Sequence, residues 1–181
     1  MSPTVQSPAV IAIQVGDARQ LINSLDPSPF RTRDLDRDAE EHIVGWAREL
    51  PLGAPIDILI HMPRAGAEQT IPDELAAIIA GHFSNSAAAC ERELRELLRV
   101  GRVQLAIGIL VLSLCLAFSQ FLSGRFGDGS TMQFVLQGLL ILGWVANWKP
   151  LETFLYDWWP IIRRRRLFLR LAQAKVSLVV S

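Results

Sequence analysis

The 181-residue sequence predicts a small α+β cytoplasmic domain of order β-α-α-β-α, then an α-helical hairpin crossing a bilayer twice, then C-terminal amphipathic helices. Three observations predict it. Two long uncharged apolar runs lie in the second half of the chain. Basic residues crowd the outer flanks of those runs and avoid the stretch between them. In the first half, two short β-branched runs alternate with helical patterns and proline-rich breaks.

Half of the residues are hydrophobic, and the excess is uneven. The mean hydropathy is +0.28. The formal net charge of zero averages two unlike halves: residues 1–90 carry 12 acidic and 6 basic side chains, residues 91–181 carry 6 acidic and 12 basic. An acidic half joined to a basic, apolar half is the pattern of a solvated domain followed by a membrane-facing one. Because the basic residues sit beside apolar runs, the partner they fit is a bilayer with anionic headgroups rather than nucleic acid. Cys90 and Cys115 read as reduced, small apolar side chains, since Cys115 lies inside the most apolar run. Met1 to Gln20 has neither a basic start nor an unbroken apolar core, so no signal peptide is expected.

Residues 1–8 hold two prolines and read as a tail, and residues 9–90 as the cytoplasmic domain. AVIAIQV (Ala9 to Val15) reads as a strand; Gly16 and Asp17 end it and open a short helix to Leu25. The prolines of DPSPF (Asp26 to Phe30) make a turn. A helix follows from Asp36 to Leu50, with Ile43, Trp46, Ala47 and Leu50 as its inner face, and Pro51 to Pro55 breaks it. Ile56 to Met62 reads as the second strand. Pro72 suits a helix start, with Asp73 and Glu74 in its first turn, and that helix runs on through the basic juxtamembrane stretch 91–102. Two strands make a marginal sheet, so a further strand or a second copy of the chain is expected to complete it. The second option implies a homo-oligomer.

Val103 to Leu122 contains twenty residues without a charge. As a helix it extends about 30 Å, the thickness of a hydrocarbon core. Thr131 to Trp148 contains eighteen uncharged residues, shorter and more polar but within the spanning range. Residues 123–130, SGRFGDGS, form a short connection, so the spans are antiparallel neighbours. Nine basic residues (Arg92, Arg95, Arg99, Arg102, Lys149, Arg163, Arg164, Arg165, Arg166) flank the outer ends against Arg125 alone in the connection, which places both termini in the cytoplasm. Gln104, Gly108, Cys115 and Ser119 fall near one side of the first span; Gln133, Gln137, Trp144 and Asn147 fall near one side of the second. Small and polar residues of this kind mark helix packing, either within the hairpin or between copies. No Asp, Glu, Lys, Arg or His lies in either span, which argues against ion or proton transport.

In residues 149–181, Leu151, Phe154, Leu155, Trp158 and Ile162 form an amphipathic stripe that Pro160 ends or kinks. With Trp144, Trp148, Tyr156, Trp158 and Trp159 clustered there, the segment is expected to lie along the cytoplasmic membrane surface, anchored by the Arg163–Arg166 run. Leu167, Leu171, Ala174 and Leu178 mark one more amphipathic helix.

No chemistry-bearing motif stands out. Asp34, Asp36 and Asp38 alternate as in a calcium loop, but Ala39 and Gly45 occupy the positions where Gly and Glu would be needed, so they read as an acidic helix start. His42, His61 and His82 fall on three different elements without ligand spacing. There is no P-loop, GxGxxG, GxSxG or paired-cysteine motif, so no catalytic, cofactor or metal site is expected. The segments LDPSPFRTRDLDRDAEEHIVGWAREL (Leu25 to Leu50) and WKPLETFLYDWWPIIRRRR (Trp148 to Arg166) resemble a group of uncharacterised bacterial membrane proteins, over about a quarter of the chain. The resemblance implies a bacterial inner-membrane setting and no activity. The expected role is a membrane-anchored interaction or scaffold protein or an accessory subunit, self-associating or joined to another membrane subunit. The alternative is a pore or transporter component built by oligomerising the hairpin.

Overall fold

A computed structural model of the chain describes residues 9–22, 34–51, 53–64, 71–126 and 130–180. The fold is mixed α/β and mostly helical. It divides into two compact units: residues 1–90 with 163–181, and residues 91–162.

The first unit is built on β1 (Ala9–Gln14), β2 (Ile56–Met62) and β3 (Lys175–Val180). After β1, Asp17 accepts a hydrogen bond from the Arg19 amide and starts a single 3-10 turn, Ala18–Leu21. That turn replaces the expected helix to Leu25: Ile22 is extended and bridges Leu35, and the Asp36 amide donates to the Leu21 carbonyl. The expected DPSPF turn lies outside the described residues. Helix α1 (Arg37–Glu49) is capped by Asp36, whose carboxylate accepts from the Asp38 amide at 3.0 Å. This is the acidic helix start read in the sequence. Its inner face is Ile43, Val44 and Ala47. Trp46, expected inside, is 53% exposed, with its ring 6.1 Å from that of His42. A stripe centred between Ile43 and Val44 leaves position 46 about 110° round the helix, at 100° per residue. Leu50 is only half-buried. Gly53, in the break before β2, has φ +99°, a conformation that glycine adopts without strain.

Helix α2 (Pro72–Phe126) covers 55 residues, so the domain helix, the basic stretch and the first apolar run follow one another without an intervening loop. Then come α3 (Ser130–Ala146), α4 (Trp148–Glu152), a π-helical turn (Thr153–Asp157) and α5 (Trp158–Ala172). Pro160 does not end the helix. It sits in the first turn of α5, where a missing N–H costs little, and the widened turn lies just before it.

The C-terminal helix expected through Leu178 stops at Ala172, and residues 175–180 form β3. Val176, Val179 and Val180 are β-branched, and the open edge of β2 gives them a ladder to join. The sheet order is β1-β2-β3, all parallel. Ile58 lies between Ile11 and Val176, and Ile60 between Ile13 and Leu178. The chain therefore supplies its own third strand, and completing a two-stranded sheet no longer calls for a second copy. Ile11, Ile13, Ile56, Ile58, Ile60 and Met62 form one buried face of the sheet. Leu75, Ile78, Ile79 and Phe83 of α2 and Phe168 and Leu171 of α5 complete the core; the rings of Phe83 and Phe168 stack at 6.0 Å. Arg170 clamps the loop before β2 through the Pro51 and Ala54 carbonyls, at 3.1 and 2.8 Å. Because β2 and β3 are parallel neighbours, their connection is the whole of residues 63–174, and residues 163–181 belong with the sheet rather than with a separate C-terminal segment.

Candidate functional site: the helical seam and its flanks

Within residues 91–162, α2 approaches α3, Asn147 and the π-helical turn along a narrow seam. Partners descend on one side as they climb on the other: Gly101 faces Thr153 and Phe154, Gly108 faces Asn147, and Leu112 faces Gly143. The contacts are close. A Cβ at Gly108 would come within 2.6 Å of Asn147 Oδ1, and one at Gly143 within 2.6 Å of Leu112 Cδ1. Only glycine permits this approach of two helices. Asn147 Nδ2 donates across the seam to the Gly108 carbonyl at 3.0 Å and along its own chain to the Gly143 carbonyl at 2.9 Å.

On α2, Gly108 and Cys115 are buried, and Gln104 and Ser119, at helical spacing from them, are half-buried. On α3 the seam runs instead through Leu136, Leu139, Gly143 and Asn147. Of the predicted set there only Asn147 takes part; Gln133, Gln137 and Trp144 are exposed. Gly143 is the residue sequence reasoning missed. Its signal was a glycine four residues before Asn147 in an apolar run, on the same helical face.

The segment after α3 does not lie as a separate surface helix. Thr153 is buried at 3% exposure and, with Phe154, meets α2 at Gly101. The expected stripe splits accordingly: Phe154, Trp158 and Ile162 are half-buried, while Leu151 and Leu155 face outward. Trp144, Trp148, Tyr156 and Trp159 are exposed by 58–67%. Trp158 is half-buried and donates its indole N–H to the Phe154 carbonyl at 2.8 Å. Thr153 Oγ1 donates to Asp157, and Lys149 Nζ lies 3.2 Å from Glu152 and 3.7 Å from Asp157. The hydrogen bond to Glu152, and then the charge of Asp157, hold the Lys149 ammonium above its ordinary 10.5, so on the alkaline side these pairs persist past that value. In the sheet unit, Arg163, Arg164 and Arg166 are exposed and Arg165 half-buried; Arg164 Nε also donates to Cys90 Sγ at 3.3 Å.

One polar constellation appears in the sheet unit that the sequence did not reveal. The His82 ring on α2 is nearly buried, and its Nδ1 lies 3.3 Å from the Leu35 amide nitrogen, with Asp34 Oδ1 also 3.3 Å away. Its Nε2 lies 3.3 Å from Glu40 Oε2, out of line for a hydrogen bond. A bare Nδ1 accepts from Leu35, whereas a protonated Nδ1 donates to Asp34, so the tautomer decides which of the two contacts is the hydrogen bond. The arrangement ties the start of α1 to α2. Among the described residues no group of three His, Cys, Asp or Glu side chains is arranged to hold a metal ion.

Among the described residues one helix, α2, is long and apolar enough to cross a membrane, and only 11% of its most apolar stretch is buried against the rest of the chain. Comparison with known proteins adds no family: neither a family model, nor a curated protein, nor a solved structure matches this chain.

Proposed function

We infer that the chain is a membrane-anchored interaction protein, a scaffold or accessory subunit of a bacterial inner-membrane assembly. Its two antiparallel spans hold a sheet-containing cytoplasmic unit at the bilayer, with both termini in the cytoplasm. The observation that carries the reading is the surface of α2. Ile107, Leu110, Leu114, Phe118 and Phe121 are 52–63% exposed in the single chain, on a stretch without Asp, Glu, Lys, Arg or His. A core helix of a water-soluble protein would turn such residues inward, whereas lipid accepts them on every side. The second span has support of its own. α3 is 17 residues, about 26 Å at 1.5 Å per residue, and its seam of glycines and an amide is the packing used between helices in lipid. Exposed Trp144, Trp148, Tyr156 and Trp159, followed by the Arg163–Arg166 run, fit the headgroup layer on the cytoplasmic side.

An interaction role is favoured over catalysis by the second face of the sheet. Val10, Ala12, Gln14, Lys175 and Val179 on that face are exposed, and Asp57, Leu59, His61 and Ser177 are half-buried. Parallel sheets are ordinarily covered on both faces, so a face that no described residue covers is one available to a partner. The pore reading is weakened by Asn147, whose amide is committed to two carbonyls inside the seam, which leaves Gln133 and Gln137 as the amides that α3 could turn to a lining.

The test is topological. In intact cells, a cysteine at Gly127 should react with an impermeant maleimide added outside, and a reporter fused after Ser181 should be active only in the cytoplasm. Labelling of that cysteine only after lysis would overturn the orientation, and release of the protein by alkaline carbonate would overturn membrane insertion.

A further inference from the structure

We propose that the outward face of α3 bearing Gln133 and Gln137 is where a second copy of this chain docks within the bilayer, amide against amide. The proposal rests on the membrane reading above and goes beyond it by naming the contact. Three amides lie at or near α3, and the fold treats them differently. Asn147 is satisfied inside the hairpin by the Gly108 and Gly143 carbonyls. Gln133 and Gln137, one helical turn apart, are both exposed, and neither side chain hydrogen-bonds a described residue. In water that would need no account. In hydrocarbon an unpaired carboxamide is costly, and lipid tails offer it nothing to bond.

The chemistry of the group selects the occupant. A carboxamide carries both donors and an acceptor, so an identical face turned about a twofold axis presents acceptor to donor and donor to acceptor. The charge distribution of this face is thus complementary to itself, and no other chain is required. The apolar part of the face has matching relief. Leu140, Ile141, Trp144 and Trp148 fall within about 60° of Gln137 at 100° per residue, on the same side of the helix. With Val145 and Lys149 they line an open groove of about 550 Å³, whose polar end is the Lys149 ammonium. Exposed Trp144 and Trp148 beside that groove give each copy a ridge for the other's recess, the arrangement by which helices interdigitate. A ring of tryptophan at this depth adds large contact area and an N–H that finds partners near the headgroups.

The full-length protein in proteoliposomes tests the proposal, in a background carrying Cys90→Ala and Cys115→Ala. Oxidation should cross-link copies through Ile141→Cys on the docking face and not through Leu110→Cys on the outward face of α2. Energy transfer between separately labelled copies, followed as they are diluted with lipid, should show Gln133→Leu/Gln137→Leu dissociating at about fiftyfold higher protein-to-lipid ratio than the wild type, the size expected for losing four interhelical hydrogen bonds, two at each amide pair. Gln133→Asn/Gln137→Asn, which keeps the amides, should recover most of that loss, a rescue that a purely steric role would not give. Resistance to carbonate extraction, measured on every variant, separates the two ideas. An inserted protein whose leucine variant associates as tightly as the wild type, or that cross-links through Leu110→Cys instead, overturns the docking face and leaves the membrane reading standing. A wild-type protein removed by carbonate overturns both.

Discussion

The two units sort the same residue types in opposite directions. In the sheet unit Ile11, Ile13, Ile56, Ile58, Ile60 and Met62 are at most 8% exposed, packed under α2 and α5 residues of the same character. In the unit of residues 91–162, Leu110, Leu114, Phe121 and Ile141 are at least 60% exposed, and the buried residues are mostly small: Gly101, Gly108, Cys115 and Gly143, with Pro150, Thr153 and Ile161 after them. On the membrane reading proposed above, the difference is one of solvent. Where water surrounds the fold, removing apolar area from it is the driving force. Where lipid does, apolar side chains gain nothing by turning inward, and stability comes from close backbone approach and from hydrogen bonds across the contact. Substitutions should therefore rank by different rules in the two units.

The largest effect is expected from a charge in the sheet core. Ile58 is fully buried between Ile11 and Val176, with no cation in its sheet register. Ile58→Asp should cost about 3–5 kcal/mol, as a buried carboxylate without a partner does. In proteoliposomes it should make residues 1–90 sensitive to added protease while the protein still resists carbonate extraction. A sheet unit that stays protease-resistant would show that this face is not the core. Because β3 completes the sheet within one chain, this substitution is expected to act on folding of the protomer and not on a contact between copies.

What was legible in the sequence, and what was not, divides by the range of the interactions. β1 and β2 showed in the alternation of Ile11, Ile13 and of Ile56, Ile58, Ile60, and α1 in its Asp36 cap, because strand and helix periods are written in adjacent residues. The seam side of α2 was equally local: Gln104, Gly108, Cys115 and Ser119 recur at helical spacing. β3 was hidden because Leu167, Leu171, Ala174 and Leu178 carry a helical spacing through it, while its partner β2 lies more than a hundred residues earlier. Local pattern cannot report a ladder of that range. His82 was hidden for the same reason, since Asp34 lies 48 residues before it. On α3 the sequence identified polar residues and took them for one face; which of them turned inward depended on where α2 presented a glycine.

A side chain forced into the glycine seam should have the next largest effect. A Cβ at Gly143 would sit 2.6 Å from Leu112 Cδ1 and 3.3 Å from the Leu112 Cα, with backbone behind it, so Gly143→Leu must push the helices apart. A loss of about 1–3 kcal/mol is expected, the range for overpacking a tight contact. Gly124→Leu is the control, because nothing lies within 4 Å of its Cβ, and both changes raise helix propensity equally. Unfolding of the purified protein in mixed micelles, followed by helical ellipticity as denaturing detergent is titrated in, reads the difference. Equal midpoints for the two variants would mean that the seam does not hold the helices together.

The smallest effect, and the sharpest comparison, concerns Asn147. Its backbone amide bonds to the Trp144 carbonyl, as at the end of a helix, which leaves the Gly143 carbonyl without its usual partner four residues on. The Asn147 side chain fills that position and reaches the Gly108 carbonyl of α2 as well. Leucine has the branching of asparagine and nearly its shape, so Asn147→Leu removes both hydrogen bonds with little change in packing. In water-surrounded protein the loss of a buried amide's partners would be severe. Between helices in lipid, measured contributions average about 0.6 kcal/mol and reach about 1.7, because the separated helices find substitute partners. The same micelle titration should therefore place Asn147→Leu between the wild type and Gly143→Leu. Neither partner titrates, so the midpoint shift should be the same at pH 6 and pH 8. A loss exceeding that of Gly143→Leu would reverse the order, making the hydrogen bonds rather than the close approach of glycines the principal hold in this unit, and the contrast drawn with the sheet unit would have to be given up.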